Sequence, residues 1–294
     1  MPKAITRTYW SEQDYNFLRE KYLVLSYKEI GEKLGKTKSA VQNKLRVLGL
    51  SRPDKYSYNQ DFFENILSEE QAYWLGFFYA DGYITHSDRN WECSIELQVG
   101  DLGHLKKLNK SVCGNVQPSI KRKKRNYIDK EYDVAFIRFY SKKMFNDLKE
   151  HGCVERKSDK IQMPNLTKEL IWHFLRGFFD GDGCLVLNKS RNALKCDFCS
   201  SSIVMLNQIK EFLYSEGIYS YINLQQENRG VFKSTMPNYR LYISGLENSL
   251  VFCQKLYDNA NIYLDRKFDK YHRIVRDYNI IERIEAHRGP RHKC

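Results

Sequence analysis

The stretch Trp74-Leu75-Gly76-Phe77-Phe78-Tyr79-Ala80-Asp81-Gly82 returns 101 residues later as Leu175-Arg176-Gly177-Phe178-Phe179-Asp180-Gly181-Asp182-Gly183. Each copy is an apolar helical segment with small residues four apart, Gly76 and Ala80 in one, Gly177 and Gly181 in the other. Residues four apart share a helix face, so each copy offers a stripe free of bulk, and two such stripes can pack backbone to backbone. Both copies end in Asp-Gly, and that packing brings Asp81 and Asp182 together. Two carboxylates held close in a basic chain point to metal-dependent chemistry on a polyanion.

The basic character is plain in the 294 residues: 48 Lys and Arg against 36 Asp and Glu, a formal charge of +12. Such an excess favours nucleic acid or an anionic surface as partner. A hydrophobic fraction of 42% and an aromatic fraction of 14% can fill the cores of two or three domains. Residues 1–7 hold no apolar secretory core, and the apolar run at 72–80 is far short of the ~20 residues of a membrane span. A cytoplasmic protein is expected, in a bacterial, phage-host or organellar interior, neither secreted nor membrane-bound. The eight cysteines lack framework spacing and read as reduced thiols. Cys196-Asp197-Phe198-Cys199 is half of a zinc pattern, but no second pair stands at matching spacing.

Residues 1–52 read as a small all-α unit. A helix opens at Trp10-Ser11-Glu12-Gln13, a second spans 26–35 and stops at Gly35, and Thr37 caps a third. In the third, Ala40, Val41, Leu45 and Leu48 are spaced for a buried face, while Lys38, Gln42, Asn43, Lys44 and Arg46 point outward. A helix-turn-helix follows, and the Trp-led first helix with Glu29-Ile30-Gly31, Leu34-Gly35-Lys36-Thr37, Ala40-Val41 and Leu48-Gly49-Leu50 resembles the Myb-like DNA-binding domains. A bundle without a ligand is the plainer alternative. Lys38, Gln42, Asn43 and Arg46 are the residue types that read a major groove. Residues 53–60 form a linker, with Pro53 ending the helix.

Beyond it the chain reads as a duplication: a first half at 61–163, a second at 164–279 and a basic tail at 280–294. Residues 91–99 alternate, with Trp91, Cys93, Ile95, Leu97 and Val99 on one face. Residues 194–202 are their counterpart. Amphipathic helices at 102–112 and 203–216 follow, stopped by Gly114 and Gly217, and strands near 134–140 and 239–244 lead into further helices. A second repeat then agrees with the first: Arg156-Lys157-Ser158-Asp159-Lys160 against Arg266-Lys267-Phe268-Asp269-Lys270, 110 residues apart. On its own this motif could equally be a surface charge cluster.

The paired Gly-Phe-Phe-x-x-Asp-Gly segments resemble the two motifs of a single-chain LAGLIDADG homing endonuclease, over roughly residues 60–275. The first copy departs by carrying Tyr79 where Asp180 stands in the second, but the acids before the final glycines are both present. The resemblance implies an α+β fold: two pseudo-twofold-related αββαββα halves, each laying an antiparallel saddle sheet in the DNA major groove, with the motif helices as the central seam. It also implies Asp81 and Asp182 as catalytic metal ligands, the carbonyls of Ala80 and Gly181 as further ligands, and Lys157 and Lys267 as catalytic lysines. Mg²⁺, or another divalent cation such as Mn²⁺, is the expected cofactor. The expected partner is double-stranded DNA with a long asymmetric site, bound by a monomer that cuts each strand once. Gln98, Arg138, Gln225, Gln226 and Arg240 are suited to base edges. The run Lys121, Arg122, Lys123, Lys124 and Arg125 is placed at a hairpin tip to grip phosphate, a solvated basic loop being the alternative. An intron-RNA maturase, or a regulator that binds without cutting, could use the same scaffold. The intact acids disfavour an inert scaffold, and a recognition helix suits duplex DNA better than RNA.

Overall fold

The computed structural model describes residues 9–50, 56–88, 90–125, 128–155, 159, 161–188, 193–225, 237–277 and 279, with backbone alone at 125, 128–130, 188 and 193. The chain divides into two compact units, 1–57 and 58–294.

The first unit holds helices α1 (Glu12–Lys21), α2 (Tyr27–Leu34) and α3 (Lys38–Val47). Their starts follow from local capping. Ser11 accepts from the Asp14 N–H while Asp14 accepts from the Ser11 N–H, and Ser26 and Glu29 repeat this box. Thr37 accepts from the Ala40 N–H at 3.2 Å, and Gly35, with φ of 62°, ends α2. Leu18, Ile30, Val41 and Leu45 form a small buried core. Lys38, Gln42, Asn43 and Arg46 lie exposed along α3. Lys44, expected to point outward with them, instead turns inward: its Nζ lies 3.2 Å from Tyr15 Oη and 5.5 Å from the Trp10 ring centre. Its aliphatic stem covers these rings while the ammonium meets their π faces.

The second unit repeats one topology. The first pass is α4 (Glu69–Ala80), β1 (Gly82–Ser87), β2 (Asn90–Gln98), α5 (Leu102–Ser111), β3 (Ser119–Arg125), β4 (Ile128–Tyr140) and α6 (Lys142–Glu150). The second pass is α7 (Lys168–Asp182), β5 (Gly183–Asn188), β6 (Ala193–Ser200), α8 (Ile203–Ser215), β7 (Ser220–Gln225), β8 (Asn238–Ile243) and α9 (Gly245–Tyr257), with α10 (Asp265–Asp277) added. The antiparallel sheets run β1-β2-β4-β3 and β5-β6-β8-β7. Gly82 pairs with Ile95, which pairs with Ile137; Gly183 pairs with Phe198, which pairs with Leu241. The glycine after each acid therefore enters its sheet at the same node.

One face of each sheet is apolar and buried: Cys93, Ile95, Leu97, Ala135, Ile137 and Phe139 in the first, Leu185, Leu194, Cys196, Phe198 and Leu241 in the second. Two details differ from the sequence-based expectation, where the strand ends and where the basic run sits, and strand period separates a cysteine pair. Val99 does not join the buried face; the strand ends at Gln98, a 3-10 turn starts at Val99, and that residue is 41% exposed. The basic run 121–125 is strand β3 rather than a hairpin tip, so its members alternate between faces. Cys196 and Cys199, three apart, fall on opposite faces of β6 and cannot share a zinc ion: Cys196 Sγ is buried 3.4 Å from Cys253 Sγ, whereas Cys199 contacts Asn238.

The two passes meet along α4 and α7. Helix α4 is apolar all round, with every residue from Ala72 to Tyr79 buried, as a helix enclosed on all sides must be. The approach is close enough that a Cβ on Gly76 would lie 2.0 Å from Phe174 O, and one on Gly177 would lie 1.9 Å from Tyr73 O. Neither obstacle is a flexible side chain, so any substituent must push the helices apart. Gly177→Ala should therefore destabilise the protein by about 3 kcal/mol. Gly100→Ala, where nothing lies within 4 Å, should change stability by less than about 0.5 kcal/mol. Urea unfolding of the two variants in parallel checks this; equal midpoints would contradict the tight seam.

Candidate functional site

At the end of the seam Asp81 caps α4 and Asp182 is the last residue of α7. The Cβ that Gly181 lacks would stand 2.2 Å from Ala80 Cβ and 3.0 Å from Asp81 Oδ2. The Asp81 carboxylate thus lies against the backbone one residue before Asp182. Two helix C-termini converge there, each contributing partial negative charge. Asp81 is half-buried and Asp182 exposed, so the acid end opens to solvent.

Lys267, on α10, reaches into this end. Its Nζ donates to Phe179 O and, at 2.5 Å, to Gly183 O, the carbonyls flanking the last turn of α7, and the residue is 6% exposed. Burial pushes its pKa down to about 8 against the opposing pull of Asp180, Asp81 and Asp182. A group so poised can give or take a proton near neutral pH. Lys157, its partner in the sequence repeat, lies outside the described residues.

The departure of the first motif from the second has a structural reason. Tyr79 and Asp180 occupy equivalent helix positions, and each fastens the segment that follows the last helix of its own pass. Tyr79 Oη donates to His151 O at 2.6 Å. Asp180, fully buried, accepts from the Leu264 N–H at 2.7 Å, just before α10, and from Tyr257 Oη and Tyr73 Oη at 2.7 and 2.8 Å. Tyr73 gives its one proton to Asp180, so the His104 Nε2 atom 3.0 Å away must be the N–H that donates to it. His104 Nδ1 is then a bare acceptor, buried without a partner. Burial, reinforced by Lys107 and Arg266, pushes the His104 pKa down to about 3.

The unfolded chain takes up this proton below about pH 6.5 while the folded one refuses it, so stability falls as pH drops from about 6.5 toward 3. At pH 5 the loss from this group is about 2 kcal/mol. His104→Gln should flatten the difference between urea midpoints at pH 7 and pH 5, and an unchanged difference would contradict the neutral buried ring.

Further polar ties clasp the two passes. Arg176, 2% exposed, donates to Ile262 O, Leu256 O and Glu69 Oε1, at 2.8, 3.0 and 2.5 Å. Lys107 donates to Tyr263 O at 2.9 Å, and Arg266 Nε lies 2.9 Å from Asp101 Oδ2. Sequence reasoning passed over these residues. The available signal was Arg176 and Asp180, four apart with only Gly177, Phe178 and Phe179 between them, since charges buried in an apolar stretch require partners.

The second face of each sheet carries no apolar layer. In the first it presents Tyr83, Lys121, Lys123, Glu96, Glu92, Phe136 and Arg138, with Tyr83 56% exposed. Lys121 and Arg138 lie 4.9 and 4.8 Å from the Phe136 ring centre. In the second it presents Arg240, Asp197, Gln225 and the stacked pair Tyr221 and Tyr242. Arg240 Nη1 is 3.1 Å from Asp197 Oδ1. Arg122 and Lys124 point the other way, toward Asp133 and Glu131. Gln98 donates to Asp101 Oδ2 at 3.0 Å, a structural tie at the strand end. Gln226 and the Arg125 side chain lie outside the described residues. A cleft of about 380 Å³, lined among others by Asp81, Gly181, Glu96, Gln98 and Arg266, connects the first bare face with the acid end.

Residues 169–257 match the family model described as LAGLIDADG-like domain. A "Replication factor C small subunit" of Methanocaldococcus jannaschii is 26% identical over 222 residues, 74% of this chain and 11% of that protein. An uncharacterized protein of the same organism is 37% identical over 87 residues, 29% of this chain and 9% of that protein. The chain thus spans about a tenth of the length of the curated relatives it matches. Among solved structures, the homing endonuclease I-WcaI bound to its DNA recognition sequence superposes with a TM-score of 0.51 at 16% identity, over 77% of this chain and 97% of that one. The homing endonuclease I-DmoI, as mesophilic variants, gives 0.42 at 17% identity over 69% and 98%. The family model thus matches the second pass, and the first pass repeats the same topology.

Proposed function

We propose that this protein is a site-specific double-strand DNA endonuclease that hydrolyses one phosphodiester bond in each strand. The observation that carries this reading is the seam itself, which sets the Asp81 carboxylate against Gly181 and leads Asp182 out beside it, with Lys267 inserted at the same end. The fold is also the one in which I-WcaI is bound to its recognition sequence. The bare sheet faces supply aromatic and cationic groups for duplex contact, and because their residues differ, the site they fit is asymmetric.

Among the described residues no cluster of three or more His, Cys, Asp or Glu side chains is gathered for a metal. Two carboxylates with backbone carbonyls suit Mg²⁺ or Mn²⁺, which are held by one or two acids together with water and substrate phosphates. Asp81 and Asp182, with the carbonyls of Ala80 and Gly181, would hold the ion, which when bound would polarise the phosphate and ready water for attack. Lys267 offers positive charge to the developing phosphate or accepts a proton from the attacking water, and Lys157 is assigned the same part in the first half. Lys38, Gln42, Asn43 and Arg46 on α3 add groove and phosphate contacts from the helix-turn-helix unit.

Asp81→Asn or Asp182→Asn should abolish double-strand cleavage while DNA affinity persists, measured on a duplex recovered from a randomised library with Mg²⁺ present. Full activity in either variant would refute the assignment, and binding without cleavage by the wild-type chain would favour the regulator or maturase reading. Lys267→Met should slow single-turnover cleavage by about 100-fold with a much smaller change in Kd. Removal of residues 1–52 should weaken binding and flatten its salt dependence by about one unit of slope per lost phosphate contact; unaltered slopes would exclude a DNA role for that unit.

A further inference from the structure

A DNA-facing surface built for affinity alone would carry unpaired cations. The bare faces here carry acids on the cations instead. Glu96, in the middle of β2, holds two ammonium groups on its two oxygens: Lys121 at 2.5 Å on Oε2, and Lys123 on Oε1. Arg138 Nε lies 3.2 Å from Glu92 Oε1, and Arg240 is set on Asp197 in the other sheet. The register places Glu96 with Lys121 and Lys123 on the bare face, and Glu96 lines the cleft that leads to Asp81. Burial alone would raise the Glu96 pKa, but the hydrogen bonds from the two lysines hold it below the usual carboxylate range. The acid is therefore charged whenever DNA approaches.

We infer that Glu96 is a specificity-determining residue: its carboxylate withholds Lys121 and Lys123 from the phosphates of arbitrary duplex and yields them where a base amino group, cytosine N4 or adenine N6, replaces them as donor. The inference rests on the proposed DNA-binding function. On non-cognate DNA no base amino group reaches the carboxylate, so the two lysines stay engaged with it and are withheld from the phosphates. On the cognate site the exposed amino group in the major groove takes over the carboxylate, and both ammonium groups turn to the backbone. Discrimination thus comes partly from a repulsive group, a device that costs affinity everywhere except at the right sequence.

The test compares wild type, Glu96→Gln and Lys121→Gln/Lys123→Gln as full-length proteins, with a duplex selected by the wild type from a randomised library and a scrambled duplex of the same composition. Glu96→Gln should bind the scrambled duplex about tenfold more tightly, with a salt slope steeper by about one to two, and gain little or lose on the selected duplex. The double lysine variant should lose affinity mainly for the selected duplex. Equal gains by Glu96→Gln on both duplexes, or no change on either, would overturn the inference while leaving the DNA-binding function standing. If the wild type enriches no sequence at all, both fall together. Thermal melts of each variant check that the sheet is intact.

Discussion

The approach of two backbones at Gly76 and Gly177 is the constraint on which the rest of the molecule depends. Because each glycine sits directly over a carbonyl of the opposite helix, the seam has one register, and that register carries the C-terminal ends of α4 and α7 to the same point. The sheets inherit their positions from it, since Gly82 and Gly183 begin the first strand of each sheet immediately after the acids. A small residue at the crossing therefore decides both the packing and the location of two charges.

Such a junction concentrates negative charge, from two carboxylates and two helix ends, and the surrounding structure moderates it. Lys267 is threaded onto the carbonyls of the last turn of α7, and α10, which carries it, is fastened by Asp180 accepting the Leu264 N–H. Asp180 can be buried because three donors satisfy it, two of them tyrosine hydroxyls. Tyr79 does the corresponding work in the first pass with a neutral hydroxyl. The two halves thus solve one anchoring problem with different chemistry, which is expected once a duplicated unit no longer has to be identical to itself.

The bare sheet faces follow a different logic from the seam. The seam is dry and fixed by shape; the faces are wet and fixed by charge pairing. A chain with a formal charge of +12 could bind any polyanion, and Glu96, Glu92 and Asp197 pair with Lys121, Arg138 and Arg240 on these faces, which under the inference above makes that attraction conditional. On the proposed function, negative charges on such a surface are part of recognition and not an inconsistency in it.

Much of this was legible in the chain itself. The nine-residue repeat, its glycines and its terminal acids determined that two equivalent helices would pair closely and end in carboxylates, because helical periodicity and the size of glycine are local properties. Alternation in residues 91–98 and the caps at Ser11, Ser26 and Thr37 were legible for the same reason. What only the tertiary structure decided was partnership. The inward turn of Lys44 onto Trp10, the pairing of Lys121 and Lys123 with Glu96 and the burial of Arg176 on Glu69 all join residues that are distant in sequence or on different strands. A charge on a sequence has a sign but no neighbour, and whether it reads a base, grips a phosphate or neutralises an acid is settled by which other charge the fold brings within a few ångströms.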